Sequence, residues 1–254
     1  MSGMNTTVPN PRVLIVGATS AIAVEVARRY AARGARLLLL GRRAQALEAQ
    51  AADLRVRGAA EVAFDLFDAN DVVLHPELVA RAWARWQGLD VALVAYGVLP
   101  DQAKAQASAT EALTTFDTNA RSVISVLTEL ANYFEAQRSG VIGVISTPAG
   151  DRGRASNYVY GAAKAAVSNF CSGLRHRLYR HGVRVVTILP GFVDTPMTSG
   201  FTKGPLWAQP GQVAADIERA LDRSNGNLYA PWFWRWIMFI VKRVPQALFL
   251  RSKL

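Results

Sequence analysis

A single cysteine, Cys171, stands among 254 residues. It can form no disulfide within the chain, and no CxxC pair or histidine cluster lies beside it, so neither an oxidised scaffold nor a zinc site is supported. A reduced, cytoplasmic setting is expected. The opening MSGMNTTVPNP lacks a basic segment followed by an apolar one, which argues against a secretory signal, and residues 1–10 read as a disordered lead-in. Acidic residues stop at Asp222, yet the tail from Pro231 carries Arg235, Lys242, Arg243, Arg251 and Lys253, half of the formal net charge of +10. Such an excess points to nucleic acid, an anionic membrane or a phosphate-bearing ligand. With half of it in one aromatic tail and no groove-reading module elsewhere, nucleic acid is excluded.

What is present in quantity is apolar: 51% of the residues are hydrophobic, enough at this length to bury the core of one α/β domain. Strand-length runs (RVLIVG, ARLLLLG, AAEVAF, LDVALVAYG, GVIGVIS and VRVVTILPG) alternate with stretches of helical composition at 20–33, 43–57, 71–87, 111–137 and 157–181. That alternation predicts a doubly wound parallel sheet of about seven strands with helices on both faces, a single Rossmann-type domain over residues 11–230 followed by the tail 231–254. Residues 196–226, bounded by Pro196, Pro205 and Pro210, break the rhythm after a strand end, where an open parallel sheet places a substrate-covering loop.

The first strand runs into GATSAIA, which has Gly17 but alanines, Ala21 and Ala23, where a dinucleotide-binding turn has its other two glycines. Only the first glycine of such a turn needs a positive φ, and alanine is the best helix former, so the loop is tightened rather than destroyed. Backbone N–H groups around Ala21 and Ile22 and the hydroxyls of Thr19 and Ser20 remain at a helix N-terminus, which favours anions. The second strand ends Gly41-Arg42-Arg43 instead of in an acid that would grip a ribose hydroxyl, so NADP(H) is favoured over NAD(H), with Arg42 at the 2′-phosphate.

Further on, SNYVYGAAKAAV sets Tyr160 and Lys164 four residues apart on one helical face. Together with the Gly17 turn this resembles the short-chain dehydrogenase/reductase family. The likeness continues in Asp65-Leu66, in Ala95-Tyr96-Gly97, in Asn119 and in Pro190-Gly191-Phe192-Val193-Asp194-Thr195. The resemblance implies Tyr160 as proton donor to a ketone, Lys164 as the cation that favours its phenolate and holds the nicotinamide ribose, and Asn119 as the orderer of a relay water. It implies adenine contacts from Asp65 and Leu66, cofactor contacts at Ala95, Tyr96 and Gly97, and carboxamide contacts from Pro190, Gly191, Val193 and Thr195. The family's substrate-orienting serine falls thirteen residues before the tyrosine, at Thr147, with Ser146 one step off; the two point to opposite faces of a strand. Thr147 is favoured, and Ser146 takes the role if the strand end is irregular.

VAYGVLPD, GDRGRASNYVYGAAK and the tail YAPWFWRWIMFIVKRVPQALF are similar to the decaprenylphosphoryl-2-keto-pentose reductase branch of that family. This implies a polyprenyl-phosphate-linked keto-sugar as substrate, a flavin-dependent oxidase as partner, and a dimer or tetramer. Read as a helix from Trp232, the tail collects Phe233, Trp236, Ile237, Ile240, Val241 and Val244 on one arc and Arg235 and Lys242 on the other, an interfacial pattern. It is too short and too interrupted for the ~20 apolar residues of a spanning helix. The chain is therefore expected at the inner face of the cytoplasmic membrane, or, on the other reading, the aromatics close the pocket of a reductase for a soluble hydrophobic ketone. A non-catalytic NADP-binding scaffold is a third reading, disfavoured by the presence of Tyr160, Lys164 and Asn119 together.

Overall fold

A computed structural model describes residues 9–252. Most of the proposed lead-in (1–8) and the last two residues lie outside the described residues. The six apolar runs form parallel strands β1 (Arg12–Val16), β2 (Arg36–Gly41), β3 (Glu61–Leu66), β4 (Val91–Val94), β5 (Val141–Ile145) and β6 (Arg184–Pro190), and the less apolar GNLYA adds a seventh, β7 (Gly226–Ala230). Between and after them run α1 (Ala21–Ala31), α2 (Ala44–Val56), α3 (His75–Ala84), α4 (Gln102–Ala107), α5 (Ala109–Phe116), α6 (Ser122–Gln137), α7 (Tyr158–Tyr179), α8 (Pro210–Arg223), α9 (Trp234–Arg243) and α10 (Gln246–Phe249).

The strands lack alternating polarity because both faces of the sheet are covered. Val13, Ile15, Leu37 and Leu39 pack with Val26 of α1, Leu47 of α2 and Ile217 of α8. Their neighbours Leu14, Val16, Leu38 and Leu40 pack on the other face with Leu78 of α3, Leu127 of α6 and Val167 of α7. The order β3-β2-β1-β4-β5-β6-β7 reverses direction between β1 and β4, so a crevice opens at the carboxyl ends of those two strands.

Two sequence expectations are corrected, the bounds of the covering loop and the start of the tail helix, and one helix proves more elaborate than expected. The stretch 111–137 is helical throughout, as expected, but it starts at Ala109 and passes through a π-helical segment, Asp117–Arg121, between α5 and α6; α4, capped by the Asp101 carboxylate on the N–H groups of Ala103 and Lys104, precedes it. The covering loop 196–226 shrinks to 191–209, because Pro210 opens α8. Gln209 and Gln212 cap that helix reciprocally, and Val213, Ala214, Ile217 and Leu221 bury one face of it. The tail helix starts at Trp234 rather than Trp232, and a stripe outside the expected arc turns inward. Trp234 and Met238 are buried, whereas Trp236 and Ile240 are 56% and 64% exposed. Helical periodicity alone could not reveal which residues turn inward; the anchor described below sets it.

Candidate active site

At the end of β1, Gly17 has φ +82°, and a Cβ there would lie 2.6 Å from Tyr96 Cβ and 2.8 Å from Tyr96 N. Only glycine fits this approach between β1 and β4. The N–H groups of Gly17 and Ala18 both donate to Leu40 O, which fixes the turn. Ser20 caps α1, its Oγ accepting from Ala23 N at 3.2 Å. Ala21 begins the helix and the Ala23 side chain is wholly buried in the core, so the alanines extend the helix instead of obstructing the crevice. Thr19 and Ile22 are half-buried beside it.

At the neighbouring strand end Arg42 is exposed and, among the described residues, pairs with no carboxylate. Leu66 is 58% exposed and Asp65 half-buried. A cavity of about 370 Å³ adjoins them, lined by Arg42, Leu66, Phe67, Asp68 and, from α3, Leu78 and Arg81. Ala95 is buried. The Tyr96 ring turns back into the protein, 5.3 Å from Phe67, with its hydroxyl 3.1 Å from Ser122 Oγ. Tyr96 therefore presents only its backbone to the crevice.

On α7 the spacing of Tyr160 and Lys164 brings the Lys164 ammonium 5.9 Å from the phenol ring centre. Lys164 is 2% exposed and donates to Ile145 O at 3.1 Å. Burial pushes its pKa down to about 8 and that of Tyr160 up to about 12, since a low-dielectric surrounding disfavours both charged forms. Asn119, fully buried in the π-type turn, donates to Val98 O and Thr115 O and accepts from Val98 N. Its amide thus ties α5 to the loop after β4. Asn119 and Lys164 converge on Gly97, where an added methyl would lie 2.6 Å from Asn119 Oδ1 and 3.3 Å from Lys164 Nζ.

Ser146 and Thr147 differ in how their hydroxyls are engaged. Ser146 is buried, its Oγ donating to Lys164 O and 2.8 Å from Ser168 Oγ, so it braces α7. Thr147 is half-buried, and its Oγ1 only accepts, from Ala149 N at 3.3 Å; its hydroxyl proton is left to donate.

The segment after β6 meets the tail. Gly191 N donates to Ala230 O, and a Cβ on Gly191 would overlap the Trp234 indole. Phe192 stands edge-on to Trp234 and stacks on Trp207. Val193 is buried and its N–H has no acceptor among the described residues, whereas the Thr195 N–H donates to Thr198 Oγ1 at 3.1 Å. Lys203 donates to Asp194 at 2.7 Å, closing the loop on itself and holding the carboxyl below its usual range.

Sequence reasoning missed the brace on the opposite wall. Arg152, just beyond Thr147, donates to the carbonyls of Val241 and Val244 at 2.5 and 2.7 Å and lies 3.7 Å over the Phe249 ring. Asp151 accepts from the Tyr229 hydroxyl at 2.7 Å. The tail thus grips both loops that flank Tyr160. Nothing in the local pattern of GDRG signals partners some ninety residues away.

The family model for short chain dehydrogenases matches residues 11–205. This chain belongs to the short-chain dehydrogenase family. An uncharacterised oxidoreductase of Mycobacterium tuberculosis is 40% identical over 94% of this chain and 96% of its own length. A 3-oxoacyl-[acyl-carrier-protein] reductase of Chlamydia muridarum is 29% identical, covering 78% of this chain and 80% of the relative. A solved short-chain dehydrogenase/reductase family protein superposes with a TM-score of 0.77 at 29% identity, covering 88% of this chain and 97% of that one. As a short-chain dehydrogenase the protein is an oxidoreductase using a nicotinamide dinucleotide. The crevice of this short-chain dehydrogenase fits such a group: the Gly17 turn leads into the N-terminus of α1 at the carboxyl end of β1, beside the reversal of strand order, where a dinucleotide's phosphates are favoured.

Proposed function

We propose that the protein is an NADP(H)-dependent reductase that converts a ketone to an alcohol, acting on a polyprenyl-phosphate-linked keto-sugar. The observation that carries the ketone reduction is the convergence of Lys164 and Asn119 at Gly97, with Tyr160 one helical turn from Lys164 and the Thr147 hydroxyl proton unengaged at the end of β5. The nicotinamide, when bound, supplies the hydride. Thr147 donates a hydrogen bond to the ketone oxygen, and Tyr160 gives that oxygen its proton. Lys164 stabilises the phenolate left behind and, as an ammonium, is the nearest source for its reprotonation. Asn119 holds the floor of the site by fixing the Val98 backbone. The name of the Chlamydia relative, a 3-oxoacyl reductase, supports keto reduction as the class of reaction.

Arg42, unpaired and positively charged beside the cavity at Leu66, supports NADP(H). Arg42→Asp is expected to lower the ratio of kcat/KM for NADPH to that for NADH by about 100-fold, or ~2.7 kcal/mol. An unchanged ratio in paired kinetics would remove Arg42 from the 2′-phosphate.

For the lipid-linked substrate the support is the outer face of the tail. No helix among the described residues is long and apolar enough to cross a membrane. Trp232, Trp236, Phe239 and Ile240 are nevertheless exposed, among Arg235, Lys242 and Arg243, and Arg243 lies 3.5 Å over the Phe239 ring. Apolar rings ringed by cations suit the headgroup layer of an anionic bilayer at the cytoplasmic face. The keto-sugar would come from oxidation of the alcohol by a flavin-dependent partner, and reduction would return it with inverted configuration. Exposed Leu113, Phe116 and Tyr179 on α5 and α7 would serve a homo-oligomer contact.

Deleting the tail would also remove Trp234 and the partners of Arg152, so the membrane reading is better tested with Trp236→Glu/Phe239→Glu. In sedimentation with phosphatidylglycerol vesicles, wild type is expected to bind and the double variant to bind at least about tenfold more weakly, because burying each ring is worth roughly 1.5–3 kcal/mol. Equal binding, or binding by neither, would favour a soluble hydrophobic ketone as substrate.

A further inference from the structure

Around Tyr160 the protein encloses polar groups that it does not pair. Arg154 Nε, Asn157 Oδ1 and Gln102 Nε2 are buried and without a hydrogen-bond partner among the described residues. Buried polar atoms are almost always matched by protein, water or ligand, so three on adjoining segments mark a place for an occupant. Asn157 N donates to Arg154 O at 3.1 Å, which folds residues 154–157 into a tight turn. Gln102 Oε1 lies 3.5 Å from Val159 N, which sets the Gln102 amide against the first turn of α7, one residue from Tyr160. The turn belongs to the segment that joins Thr147 to Tyr160, so it borders the space where the ketone would react.

Arg154 differs from its neighbour. Arg152 is satisfied by two carbonyls and the Phe249 ring, whereas Arg154 has no carboxylate, carbonyl or aromatic partner among the described residues. Its burial lowers its pKa and nothing nearby offsets this. A guanidinium held partly out of water without a counter-ion is an unfavourable arrangement that an incoming anion relieves. Its planar fork matches a phosphate or carboxylate. An amide oxygen that needs a donor and an amide nitrogen that needs an acceptor together suit hydroxyl groups, which can supply both.

We propose that Arg154, Asn157 and Gln102 form a subsite for an anionic, hydroxyl-bearing end of the ketone substrate, with the guanidinium taking the phosphate or carboxylate and the two amides taking hydroxyls. This rests on the reductase reading for its use in turnover, though not for binding. It makes Arg154 a specificity residue: an anionic ketone is selected over a neutral one of the same shape.

The test uses the NADPH complex, so that the cofactor's own phosphate positions are filled. Calorimetric titration with ribose 5-phosphate and with ribose is expected to show at least about tenfold tighter binding of the phosphate ester by wild type. Arg154→Met is expected to abolish the preference and Arg154→Lys to keep part of it. Asn157→Ala and Gln102→Ala are expected to weaken both sugars while sparing the preference, and they carry the test if Arg154→Met fails to bind NADPH. Equal affinity of wild type for the two sugars overturns the subsite, as does a preference that survives Arg154→Met, or amide variants that bind both sugars as wild type does. Reduction of dihydroxyacetone phosphate and of diacetyl is followed in the same samples, and in Arg154→Met the ratio of their kcat/KM values is expected to fall at least about tenfold. Should Tyr160→Phe reduce these ketones as fast as wild type while the phosphate preference stands, the reductase reading falls and the subsite remains.

Discussion

Tyr160→Phe is expected to lower kcat by about 10²–10⁴-fold, the usual contribution of a positioned general acid, while the NADPH dissociation constant stays within about twofold. The variant keeps the ring and its packing against the first turns of α7 and removes only the hydroxyl. Burial raises the Tyr160 pKa to about 12, so in the free enzyme the phenol retains its proton throughout the working pH range and is available as a donor. Steady-state kinetics together with nucleotide-fluorescence titration separate the two effects. A loss of turnover below tenfold, or a parallel loss of nucleotide binding, would mean that another group protonates the ketone.

Lys164→Ala is expected to reduce turnover by a similar factor and, unlike Tyr160→Phe, to weaken NADPH binding as well, because the same ammonium serves the phenolate and the nicotinamide ribose. It also carries a pH signature. With its pKa depressed to about 8, Lys164 loses its charge in the free enzyme as pH rises through that value, so kcat/KM for NADPH should be level below about pH 8 and fall above it. The conservative variant Lys164→Met should lack this limb. Stability follows the same proton with a defined sign. The unfolded chain, with an ordinary lysine pKa near ~10.4, binds the proton more tightly than the folded one, so this residue makes the fold more stable as pH rises from about 8 to about 10.4. Below that window the full penalty of a buried ammonium applies. The difference between wild type and Lys164→Met in denaturant unfolding should therefore narrow across that interval. A constant difference would mean that the ammonium is not desolvated as the fold implies.

The tail links the two halves of this chemistry to the surface. One face of α9 is part of the enzyme: Trp234 occupies the space left by the missing side chain of Gly191, and the carbonyls of Val241 and Val244 receive Arg152. The opposite face presents the aromatic and basic residues proposed to meet the bilayer. The inward stripe and the proposed bilayer-facing residues are thus different sides of one helix.

Much of the architecture was readable from the chain alone because it is local. Strand-length apolar runs, helical spacing and the need for glycine at position 17 follow from backbone sterics and from burial on two faces of a sheet. Residues four apart, such as Tyr160 and Lys164, share a helical face wherever the helix sits. By contrast, whether Ser146 or Thr147 is free to donate depended on Ser168, a residue on another element. The side of α9 that turns inward was chosen by Gly191, the amide of Asn119 was engaged by the loop after β4, and Arg154 was left without a partner by everything packed around it. Those outcomes belong to tertiary structure alone, since a hydrogen bond or a missing counter-ion is set by groups brought together from distant parts of the chain, and periodicity carries no record of them.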